Sequence, residues 1–140
     1  MSDLYKKLAT YPVKGAYVFL DACFSGGYKS AAPLLAQKGV RVVPKVGLPQ
    51  GNTLSFSSSS GDQTSSVYHE KKQGYYTYFL IKTIRDAKGN ISMKELFDRT
   101  SAAVKRATAL IDKIQEPQCM ASPTWIGWED IKLETPVVTP

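Results

Sequence analysis

Five residues, Ala16-Tyr17-Val18-Phe19-Leu20, form a short apolar run with the length and composition of a buried strand. The run stops at Asp21-Ala22-Cys23, and after Phe24-Ser25 the pair Gly26-Gly27 releases the backbone into a turn. A thiol at the carboxyl end of a buried strand sits where open α/β sheets place their ligand crevice. The glycines let main-chain N–H groups come close to whatever the sulfur attacks. A cysteine at a strand end is commonly a small buried apolar group. With an acid before it and glycines after it, Cys23 has instead the surroundings that a nucleophile needs.

At 140 residues the chain is at most one domain, taken here as a single unit over 1–140. With 43% hydrophobic and 11% aromatic residues, it has enough apolar material to pack, so disorder is not the default. No apolar run is long enough to span a membrane. The start, Met1-Ser2-Asp3-Leu4-Tyr5-Lys6-Lys7-Leu8, is charged and reads as a short amphipathic helix, not a secretory leader. A targeting signal would lie upstream of Met1. Of the two cysteines, Cys23 and Cys119, a disulfide would consume the nucleophile, so a reducing compartment is the simpler expectation and the cytoplasm is favoured. The net charge of +6 comes from scattered basic residues, with small clusters at Lys6-Lys7 and Lys71-Lys72. They are not interleaved with aromatics along one face, so a solvated surface explains them better than a nucleic-acid partner.

Taken in order, Ser2 to Ala9 reads as a helix with Leu4, Tyr5 and Leu8 on one side, ended by Tyr11-Pro12. After the strand and the cysteine turn, residues 28–50 show no sustained period and carry three prolines, as a mobile, linker-like loop would. Asn52 to Ser58 alternates Leu54 and Phe56 with small polar residues and reads as a lightly packed strand. Gln63 to Lys72 reads as polar loop. From Gly74 the spacing of Tyr76, Phe79, Leu80, Thr83 and Ile84 predicts a helix, broken at Lys88-Gly89-Asn90. Ser92 precedes Glu95 by three, a capping box. Behind it Met93, Leu96, Phe97, Thr100, Ala103, Val104, Ala107, Leu110, Ile111 and Ile114 make one apolar stripe, which predicts a long helix. Residues 115–140 form a Pro- and Trp-rich tail that Trp125, Ile126 and Trp128 anchor to the body.

The string Asp21-Ala22-Cys23-Phe24-Ser25-Gly26-Gly27 resembles the nucleophile motif of the caspase-like cysteine peptidases: metacaspases, paracaspases and their bacterial relatives. Gly61-Asp62-Gln63-Thr64-Ser65 is similar to the turn after the family's next sheet strand. Gly74-Tyr75-Tyr76-Thr77-Tyr78-Phe79-Leu80 resembles its glycine-led helix, and Gln115-Glu116-Pro117 its Gln-x-Pro element. The resemblance covers roughly Leu4 to Trp128. It implies an α/β fold: part of a caspase-like sheet flanked by helices, incomplete without an upstream segment or a partner chain. It implies a cysteine-type endopeptidase with Cys23 as nucleophile and the backbone N–H of Cys23 as one oxyanion donor. It also implies that Asp21 lines the pocket for the residue before the scissile bond. A buried carboxylate there needs a cationic partner, so the resemblance implies cleavage after Arg or Lys. Asp62, Gln63 and Ser65 are further substrate-binding candidates. Lys29, Lys38, Arg41 and Lys45 are matching self-cleavage positions.

The family's general base is a histidine about 50 residues before the cysteine. Only 22 residues precede Cys23 here, and the sole histidine is His69, read as an exposed loop residue. The expectation is therefore a carboxyl-terminal portion, with the histidine supplied by an amino-terminal half on another chain or a removed segment. No cofactor and no metal are expected. Some relatives respond to calcium, but the chain shows no ligand-spaced acid cluster. The alternative reading is an inactive caspase-like scaffold that holds basic peptides.

Overall fold

The computed structural model describes residues 1–22, 47–60 and 63–133. Helix α1 (Ser2–Ala9) and strand β1 (Ala16–Leu20) have the ends expected from the sequence. Strand β2 (Thr53–Ser57) runs parallel to β1, with Phe19 opposite Phe56 and Leu20 opposite Ser57. Strand β5 (Gln118–Ala121) pairs antiparallel on the other side of β2, giving the order β1-β2-β5. Between β2 and β5 come a small hairpin, β3 (Val67–Tyr68) and β4 (Gln73–Gly74), then helices α2 (Tyr75–Asp86) and α3 (Met93–Ala109). Among the described residues no helix is long and apolar enough to cross a membrane.

The alternation of β2 sorts the layers. Leu54 and Phe56 point to one face, where Tyr76 of α2 and Met93, Leu96 and Val104 of α3 complete the core. Ser55 points to the opposite face, where its hydroxyl receives a 2.8 Å hydrogen bond from the buried Tyr5 of α1. The result is a mixed sheet between helices on both faces, an α/β arrangement.

Several expectations need correction. β1 is not a buried strand: among the described residues it pairs on one side only, and Phe19 is exposed. β2 is not lightly packed, because Thr53, Leu54, Ser55 and Phe56 are all buried. The polar segment from Gln63 contains the β3–β4 hairpin, whose two ladder positions depend on cross-strand pairing and not on apolar alternation. Pro49 is buried and a Cβ on Gly47 would strike Ser2, so Gly47 and Pro49 pack against the body while Leu48 is exposed; residues 28–46 lie outside the described residues. Leu4 is exposed, while Tyr5 carries the buried face of α1.

Helix α3 starts at the expected Ser92, whose Oγ accepts from the Glu95 N–H at 3.2 Å. The box is only half closed, because the Glu95 carboxylate turns to Arg99. The apolar stripe stops short of Leu110, Ile111 and Ile114, which are exposed. The helix ends at Ala109, and Asp112 takes a positive φ of 54° that rotates the following residues off the core face. In the tail, Trp125 and Trp128 pack on the core, but Ile126 is 91% exposed and anchors nothing.

Candidate active site

The candidate site lies at the carboxyl ends of β1 and β2, where parallel strands of α/β sheets offer their ligand crevices. The ladder runs one step beyond β2: the Ser58 N–H donates to the Leu20 carbonyl at 2.8 Å. That bond sets Asp21 and Ala22 beside Ser58 and Ser59. Cys23, Asp62 and the cleavage candidates Lys29, Lys38, Arg41 and Lys45 lie outside the described residues. The structure therefore describes the frame around the cysteine.

Asp21 is the most informative part of that frame. Its Oδ2 accepts from the Thr77 N–H at 3.2 Å and from the Thr77 hydroxyl at 2.5 Å. Thr77 stands in the first turn of α2, whose N-cap, Gly74, has no side chain to satisfy the orphan N–H groups of the helix start. Asp21 does this from the strand, and its charge meets the positive end of the helix dipole. Gly74 makes the approach possible, since a Cβ there would overlap the Asp21 carboxylate. The expected buried carboxylate is thus corrected: Asp21 is exposed, and among the described residues it is helix donors that hold it. Its Oδ1 meets no donor among the described residues.

A second wall follows β2. Ser65 hydrogen-bonds to Ser58 through their hydroxyls and lies 3.4 Å from the Ala22 carbonyl, next to the backbone that leads into Cys23. Gln115 is buried, and its amide bridges this wall: Nε2 donates to the Ser58 carbonyl and Oε1 accepts from the Ser66 N–H, both at 2.9 Å. Gln63 is tied to the segment that follows Gln115. Both ends of its amide are engaged by Glu116, through the Glu116 N–H at 2.7 Å and a carboxylate oxygen at 3.2 Å. Sequence reasoning had singled out Gln115 by resemblance but not its task, and it missed Thr77 as a partner of Asp21. A polar residue in the first turn of a helix that starts at glycine was the available signal.

His69 is exposed in the 3-10 turn His69–Lys71. Cys119 is a free thiol on β5, opposite Phe56. Burial, with Asp98 a smaller influence, pushes its thiol up to about 12, so it stays protonated and unreactive near neutral pH. Burial also raises the phenol of Tyr76, with the charges of Cys119 and Asp21 adding to the effect. Among the described residues no group of three His, Cys, Asp or Glu side chains is placed to hold a metal ion.

A comparison with curated proteins finds no match. The family model for the caspase domain, peptidase family C14, matches residues 1–124, which include strand β1, the residues Asp21 and Cys23, the serine wall, and the helix that holds the carboxylate. The chain therefore belongs to the caspase domain family.

Proposed function

We propose that this chain carries the nucleophile of a cysteine endopeptidase that cleaves after Arg or Lys. Family membership points to cysteine peptidase chemistry. The observation that carries the specificity is Asp21: a carboxylate held at the crevice end of β1, two residues before Cys23, with Oδ1 meeting no donor among the described residues. A cationic side chain docked on that oxygen brings the next carbonyl toward the thiolate.

Cys23 loses its proton to a base, and the thiolate sulfur attacks the scissile carbonyl carbon. The charge that develops on the oxygen is met by the backbone N–H of Cys23. The C–N bond breaks as the base returns its proton to the leaving amine, and water then hydrolyses the acyl-enzyme to free acid and thiol. The base is a histidine contributed from outside these 140 residues, on an amino-terminal half of the domain. In the complete protein, Lys29, Lys38, Arg41 and Lys45 fit the same specificity and are the expected self-cleavage positions. Intact bonds after all four in the active protein would remove that part.

The test is labelling of Cys23 by a peptidyl electrophile bearing Arg, with and without the histidine-bearing half. Fast, Arg-dependent labelling that requires this half is expected. Labelling no faster than that of Cys119 with both halves present would leave the reading of a binding scaffold for basic peptides.

A further inference from the structure

We infer that Thr77 is a positioning residue that limits Asp21 to a one-oxygen contact with its cation, so that the site takes Lys about as readily as Arg. This rests on the proposed acidic pocket and specifies its chemistry. A carboxylate offers about four lone-pair positions, two on each oxygen. Oδ2 of Asp21 already accepts two hydrogen bonds from Thr77, one from the N–H and one from the hydroxyl. The carboxylate also occupies the space beside Gly74 that a Cβ there would fill. Two donors and a steric floor thus fix its orientation.

Arg draws its advantage over Lys from a planar fork that grips both oxygens of a carboxylate with parallel N–H···O bonds. Here the second oxygen is filled. An incoming guanidinium meets Oδ1 alone, as an ammonium does, and the fork is wasted. The hydroxyl of Thr77, 56 residues from Asp21 in sequence, therefore sets which cation the site prefers.

The experiment measures kcat and KM in the full-length protein on three peptides that differ only in the residue before the scissile bond: Arg, Lys or norleucine. The unaltered protein should favour both cations over norleucine and separate Arg from Lys by less than about tenfold, the weight of one charge-assisted hydrogen bond. Thr77→Val keeps the N–H and the branched shape but removes the hydroxyl donor, freeing a position on Oδ2. The Arg-to-Lys ratio should then rise by about tenfold, mainly through KM, and Thr77→Ser should restore it. Gly74→Ala should lower the Arg and Lys rates together against norleucine, by pushing Asp21 off its seat.

A fall of both cation rates in Thr77→Val with an unchanged ratio would make Thr77 a purely structural tie and overturn the inference. An Arg preference above about tenfold in the unaltered protein, the weight of a second charge-assisted bond, would overturn it without any variant. A protein that prefers neither cation over norleucine removes the acidic pocket itself, and this inference with it.

Discussion

β1 and β2 lie side by side in parallel register, and their compositions invite opposite readings of burial. Ala16-Tyr17-Val18-Phe19-Leu20 looks like core, yet every residue is half-buried or exposed. Thr53-Leu54-Ser55-Phe56-Ser57 looks like surface, yet its first four residues are buried. Position in the sheet decides the difference. β2 has a strand on each side and helices on both faces, while β1 has one strand neighbour among the described residues. Serine and threonine suit the central place because they are small, and because Ser55 finds a donor in Tyr5.

The stacked pair Phe19 and Phe56, with ring centroids 4.9 Å apart, gives the sharpest way to break this comparison. Phe56→Ala should cost about 3–5 kcal/mol, as deletion of a buried aromatic ring does. Phe19→Ala, at 39% exposure, should cost about 1–2 kcal/mol. Equal losses in urea unfolding would mean that β1 is as buried as its sequence suggests. Next comes the polar end of β2. Gln115→Ala strands the Ser58 carbonyl and the Ser66 N–H, and should cost about 2 kcal/mol in the same assay. A neutral result would show that the serine wall holds without its bridge.

Smaller again is Tyr5→Phe, which deletes the single hydrogen bond to Ser55 and should cost about 1 kcal/mol. A loss near zero would mean that size alone, and not a hydrogen bond, suits serine to this strand. The mildest test uses the other neighbour of β2. The Cys119 thiol is raised in the folded protein from an ordinary 9.0 to about 12. Its contribution is complete below pH 9 and is lost as pH rises toward 12, because the unfolded thiol ionises first. Cys119→Ala should flatten the alkaline decline of the melting temperature. An unchanged slope would mean that this side of β2 is wetter than the structure indicates.

The elements that were legible in the sequence are those whose signals are local. The ends of α1, the limits of β1 and the Ser92 start of α3 are each written within a few residues, as charge pattern, apolar run or cap. The motif around Cys23 was equally plain, and the caspase domain match covers it. β5 was not legible: its Gln118-Cys119-Met120-Ala121 carries no alternation and becomes a strand only by completing β2. The exposure of Leu110, Ile111 and Ile114 was hidden as well, since an apolar stripe cannot announce that the helix beneath it has ended.

By itself, then, the sequence determined helices α1, α2 and α3, strands β1 and β2, and the order in which these five follow one another. Only the tertiary structure decided which strand is central, which amide bridges the serine wall, and that Asp21 spends one oxygen on the start of α2. The physical reason is range. Caps and periodicity act over one or two turns, whereas the bonds from Gln115 to Ser58 and from Thr77 to Asp21 join residues 57 and 56 positions apart. Such partners meet only after the sheet and its helices have packed.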